Sequence, residues 1–117
     1  MSRLAFLAAL AFAALVVPAH AQRNGLHART AGELADLCTA NPRQPEGAAK
    51  VNYCHGFAQG MVDAEQVHGM RFCIPSGTSR ESTLADFARW VGAEPQRRSA
   101  NAVKGLTQFL TERYTCH

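Results

Sequence analysis

Apolar residues recur at three- and four-residue intervals in four stretches of this chain, the spacing of helices that bury one face. In the first stretch Leu34, Leu37 and Cys38 follow Thr30-Ala31-Gly32-Glu33, which reads as a capping box and predicts a helix over about 31–40. Asn41-Pro42-Arg43-Gln44-Pro45-Glu46-Gly47, with two prolines and a glycine, predicts a loop. Val51, Cys54, Phe57, Ala58, Met61 and Ala64 form one face of the longest predicted helix, about 48–68, closed by Gly69. Leu84, Phe87, Ala88 and Val91 mark a third helix from about Ser79, with Thr78-Ser79-Arg80-Glu81 as a second capping box and Trp90 beside the stripe. Val103, Leu106, Phe109, Leu110 and Tyr114 predict a fourth, from Ser99 as N-cap to Tyr114. No segment alternates as a strand does. The expectation is an all-α domain, a small disulfide-linked bundle of four or five helices.

One apolar stretch has no such period. Leu4 to Val17 is almost unbroken, follows Arg3, and leads to Pro18-Ala19-His20-Ala21 with small residues at −3 and −1 of a cut after Ala21. Residues 1–21 therefore read as a secretory signal peptide. The run is shorter than the ~20 residues of a spanning helix, so no membrane anchor is expected. Residues 22–29 read as a flexible polar arm and 30–117 as one helical domain. The net charge of +3 falls to +2 once Arg3 leaves with the leader, and only Arg97 and Arg98 are adjacent among the basic residues. There is no basic stripe with interleaved aromatics, so nucleic acid is not expected as a partner.

Export changes the meaning of the four cysteines, Cys38, Cys54, Cys73 and Cys116, because thiols oxidise outside the cytoplasm. Four cysteines allow three pairings, and spacing alone does not choose. Helix ends do, if the chain runs up and down with short connections. Cys38 and Cys54 then flank the loop between the first two helices, while Cys73 and Cys116 follow the second and fourth helices at the other end. Roughly 30 Å of helix separates the two ends, and a disulfide needs Cα atoms within about 7 Å. The expected bridges are Cys38–Cys54 and Cys73–Cys116.

Gly56 and Gly60, four apart inside the second helix, each cost about 1 kcal/mol relative to alanine. They are expected where this helix packs closely against another element.

Candidate chemistry is sparse. Cys54-His55 and Cys116-His117 lack the first cysteine of a haem-attachment motif, with Val51 and Arg113 in its place. No paired-cysteine spacing suits zinc. His55 points about 100° away from its neighbour Cys54 on a helix and is poorly placed to activate it. Asp63 and Glu65 lie two apart on the same helix and do not face each other, and His68 suits the negative end of that helix. No catalytic residue, cofactor or metal is expected, and the chain is not expected to be an enzyme.

The ordered set Leu37-Cys38, Cys54-His55-Gly56-Phe57-Ala58-Gln59-Gly60 with Asp63-Ala64, Cys73-Ile74-Pro75 and Tyr114-Thr115-Cys116 resembles the Rap/Tai family over about Ala31 to Cys116. Phe57 stands where tyrosine is commoner, and Ser99-Ala100 where Pro-Ala is frequent. The resemblance implies a periplasmic, disulfide-bonded helical protein that binds and occludes a peptidoglycan amidase delivered by type VI secretion. It also implies a homodimer, since several relatives are dimers. No effector-contact residue carries over by motif. Candidate contact regions are the connectors Asn41–Gly47, Gly69–Arg71 and Gly92–Arg98. The alternatives are a periplasmic stress or chaperone-like helper and an orphan envelope protein-binding module.

Overall fold

The computed structural model describes residues 25–117. The expected leader, and Gln22 to Asn24 of the expected arm, lie outside the described residues. Among the described residues there are four α-helices: α1 Ala31–Cys38, α2 Pro45–His68, α3 Arg80–Ala93 and α4 Ala102–Arg113, with a 3-10 helix over Pro95–Ser99 between the last two. The domain is all-α.

The short α1 is the hub, touching α2, α3, α4 and the 3-10 helix. Its small residues make this possible. Ala31 and Ala35 are buried beside Leu34 and Leu37, so neighbours close in from several sides. The core is completed by Cys54, Ala58 and Met61 of α2, Phe72 of the following connection, Leu84, Phe87 and Val91 of α3, and Leu106, Phe109 and Leu110 of α4. Phe87 meets Phe109 edge-on with ring centroids 5.6 Å apart, a favourable aromatic geometry.

The start of α1 and the start of α4 satisfy each other. A helix leaves its first amides without internal partners. Here the Ala31 amide donates to the Ala100 carbonyl at 2.8 Å, and the Ala102 amide donates to the Arg29 carbonyl at 2.9 Å. Thr30 and Asn101 thus form an isolated antiparallel bridge, and Arg29, expected in the arm, is tied to the bundle. Thr30 and Glu33 form the capping box read from the sequence: Thr30 Oγ1 accepts from the Glu33 amide at 3.1 Å, and Glu33 accepts from the Thr30 amide at 3.2 Å.

Several boundaries differ from expectation, each for a local reason. α1 stops at Cys38 because Thr39 turns its hydroxyl onto the Ala35 carbonyl. α2 begins at Pro45, three residues early, since proline suits the first helical turn, where its missing N–H costs nothing. The second capping box does not form: Thr78 bonds back to the Pro75 carbonyl, and Ser79 alone caps α3 through the Ser82 amide. Ser99 closes the 3-10 helix instead of opening α4, and Asn101 caps α4 by accepting from the Val103 and Lys104 amides. Val103, expected inside, is 46 % exposed, and Ala64 is also exposed.

The close packing expected at Gly56 and Gly60 is absent among the described residues. A Cβ at either position would meet nothing within 4 Å, because both face outward from the bundle. The close approaches fall elsewhere. A Cβ on Gly105 would stand 2.8 Å from the Ala31 Cβ, where α4 crosses α1. A Cβ on Gly47 would overlap the Asn41 carbonyl, so this glycine lets the loop fold back over the first turn of α2.

Candidate functional site

Two disulfides hold the scaffold. Cys38–Cys54 ties the end of α1 to α2, with Cα atoms 5.2 Å apart. Cys73–Cys116 ties the α2–α3 connection to the residues after α4, with Cα atoms 5.0 Å apart. The second is reinforced by the Cys73 amide donating to the Tyr114 carbonyl at 2.8 Å, and by the Tyr114 hydroxyl against Thr83 Oγ1 at 2.8 Å. No cysteine is left free among the described residues.

On this frame α2 overruns the body. Its 24 residues span about 36 Å, against about 12 Å for α1. Met61 is its last buried side chain, and from Asp63 to His68 only Glu65 is partly buried. The chain then turns at Gly69, whose φ of 92° lies in the left-handed region that glycine adopts freely. It comes back to bury Phe72 completely. Val67, 80 % exposed, and Met70, 40 % exposed, stand on this tip without a core to cover them. The tip is braced from within. Arg71 donates to Glu65, through Nε at 3.1 Å and through Nη2, which holds the Glu65 carboxyl below the usual carboxylate range and raises the Arg71 guanidinium.

The other two candidate connectors are built differently. Asn41–Gly47 is an Asx-turned loop, with the Arg43 amide on Asn41 Oδ1 at 3.0 Å, and it exposes no large apolar side chain. Gly92–Arg98 spends its cations on the fold. Arg97 lies 4.0 Å over the Trp90 ring, donates to the Trp90 carbonyl at 2.7 Å and pairs with Glu94. Arg98 pairs with Asp36 at 2.8 Å across Gly32 of α1. Trp90 is a core-edge residue, donating from Nε1 to Glu112 at 3.0 Å and packed beside Phe87 and Phe109.

Among the described residues no group of three His, Cys, Asp or Glu side chains is placed to hold a metal, and no helix is long and apolar enough to cross a membrane. His55 lines a groove of about 550 Å³ beside the Cys38–Cys54 bridge, together with Glu81, Val51 and Leu84. Its neighbour Cys54 is locked in that bridge and offers no thiolate. Asp63 is exposed and accepts from Gln59 at 2.8 Å, and His68 is exposed in the last turn of α2. The sequence signal for Val67 is its position out of phase with the buried residues Cys54, Ala58 and Met61. Gly47 and Gly105 carried no signal beyond being glycines.

The fold defines a small all-α protein stapled by two disulfides, with apolar side chains exposed at the end of α2. A family model described as Rap1a immunity proteins matches residues 30–116. The chain belongs to that family, and is by that membership an immunity protein that binds a secreted protein effector. No curated protein and no solved structure gives a significant match. The disulfides fit an oxidising compartment outside the cytoplasm.

Proposed function

We propose that this protein is a periplasmic immunity protein that inhibits a type VI secretion peptidoglycan amidase by inserting the α2 tip into the enzyme's cleft. The leader read in residues 1–21 would deliver residues 22–117 to that compartment. The carrying observation is the apolar pair Val67 and Met70, displayed on a helix end fixed by Cys73–Cys116 and the Glu65–Arg71 ion pair. A tip ordered before contact loses little conformational entropy on binding. Binding energy concentrates in side chains that are fully desolvated at the centre of an interface, which a tip seated in a cleft provides. The protein blocks by occupancy and turns over no substrate.

Mixing the oxidised protein with purified type VI amidases tests this. The expected result is stoichiometric loss of peptidoglycan cleavage and a stable complex on gel filtration. A Val67→Asp, Met70→Asp double variant, melting as the wild type does, should lose both. Full amidase activity at equimolar wild-type protein, across the amidases, would end the amidase reading.

A homodimer is proposed on a second feature of α2. Gly56 and Gly60 open onto free space beside the half-buried Tyr53 and Phe57, whose rings lie 6.3 Å apart. Glycine has no Cβ, so two of them one turn apart leave room for a second helix backbone to approach closely. Sedimentation of wild type against a Gly56→Leu, Gly60→Leu variant reads this directly: the dimer is expected to be lost.

A further inference from the structure

Away from the tip, the body of the molecule contains an apolar crevice of about 240 Å³ between α2, the following connection, α3 and α4. Ala58, Val62, Ile74 and Leu84 form its walls, and Leu106 and Leu110 its floor, so it reaches the central core. An apolar cavity of ~150 Å³ holds a benzene ring. This one has room for an aliphatic side chain with space to spare.

One charged side chain lines its mouth. Arg80 lies there at the first position of α3, next to the N-terminal end of a 14-residue helix with its partial positive charge. Arg80 forms no salt bridge among the described residues. Its guanidinium donates to the neutral Gln59 Oε1 at 2.7 Å, across the opening. Gln59 in turn donates to Asp63 at 2.8 Å, which leaves Asp63 one hydrogen bond behind the mouth. Glu81, in the same first turn of α3, lines the separate groove beside Cys38. No carboxylate lines the crevice itself. A cation held by a neutral amide over an apolar hole favours an occupant with an aliphatic group and an adjacent carboxylate. That carboxylate would replace an amide oxygen with a charge-assisted, two-pronged bond.

We infer that this crevice is a second contact with the effector, taking one aliphatic side chain whose neighbouring carboxylate displaces Gln59 from Arg80. The inference rests on the immunity reading for its partner, but not for its chemistry, and the two are tested apart.

The chemistry is read without any effector. Acetyl-Leu-Asp-amide is titrated at millimolar concentration into methyl-labelled protein, with acetyl-Leu-Asn-amide as the neutral match. The methyl signals of Ala58, Val62, Ile74, Leu84 and Leu106 are expected to move together. The acidic peptide should bind several-fold tighter than the neutral one, and Arg80→Glu should remove that preference. No movement of these methyls, or equal binding of the two peptides, overturns the inference.

The partner is read by amidase inhibition. Arg80→Glu suits the helix start it occupies, and Val62→Trp plugs the crevice independently. Both, checked by melting, are expected to weaken inhibition about tenfold, roughly 1.4 kcal/mol. If the tip variant fails to inhibit while both crevice variants match wild type, the crevice inference falls and the immunity reading stands. If no amidase is inhibited but the peptide titration succeeds, the immunity reading falls and the crevice chemistry survives it. A dimer abolished by Arg80→Glu would assign the crevice to a second copy of this chain and overturn its role toward the effector.

Discussion

The two parts of α2 share one helix and lead opposite lives. From Pro45 to Met61 the helix is embedded. Gly47 lies under the Asn41 carbonyl, Cys54 is bridged to Cys38, and Ala58 and Met61 face the core. From Val62 to His68 no side chain is fully buried, yet apolar residues continue, with Val67 the most exposed large one among the described residues. The first part is helical because packing and a disulfide hold it. The second is helical because it continues the first and is braced by Arg71 on Glu65. Apolar side chains in the embedded part serve stability. In the projecting part Val62 still packs against the core, whereas Val67 has no core beside it among the described residues.

The comparison breaks most visibly if the scaffold is loosened. Replacing Cys73 and Cys116 together by alanine opens a bridge of 43 residues' separation, which in the chain-entropy model is worth about 4 kcal/mol. The melting temperature should fall by about 20 °C, and the tip should lose its protection from proteolysis. An unchanged midpoint would mean that the core alone fixes the end of α2. The next largest effect belongs to the embedded part. Gly47→Ala forces a methyl into the Asn41 carbonyl, and the repacking should cost about 3 kcal/mol, measurable by urea unfolding.

In the projecting part the signs separate. Val67→Asp should leave stability within about 0.5 kcal/mol while costing about 2 kcal/mol of effector binding, read by calorimetry and inhibition. A matching loss of stability would place Val67 in the fold and not in the interface. On the outer face, at concentrations dilute enough to keep the protein monomeric, Gly56→Ala or Gly60→Ala should each raise stability by up to about 1 kcal/mol, since alanine is the better helix former and the space within the chain is open. A loss there would restore the close packing that the structure does not show.

The smallest effect is acid-dependent. Backbone donation from Arg29 and Thr30 holds the Glu33 carboxyl below its ordinary 4.5, and the Arg71 guanidinium does the same for Glu65. Both contributions are full above pH 4.5 and are lost as pH falls through the lower folded values. Both carboxyls are partly buried at the edge of the fold and each acts alone, so only a shallow acid limb is expected in melting temperature against pH. Glu65→Gln should flatten part of that limb and loosen the tip without touching the core.

What could be read in advance was local or covalent. The 3.6-residue rhythm fixes four helices and most of their buried stripes, because each stripe depends on neighbours a turn away. The Thr30–Glu33 box is likewise complete within four residues. Boundaries failed where two local partners competed. Thr78 had both the Pro75 carbonyl and a helix cap within reach, and Ser99 was drawn into a 3-10 turn that Pro95 starts.

The tertiary structure decided the rest. It set which glycines are crowded, Gly47 and Gly105 and not Gly56 and Gly60, because crowding depends on what a distant segment brings to that point. It also decided that, among the described residues, Val67 has no core to meet and Arg80 sits over an apolar hole with an amide as its hydrogen-bond partner. Helical rhythm tells a residue which way to face along its own axis. Only the placement of the other helices determines whether anything stands there to receive it.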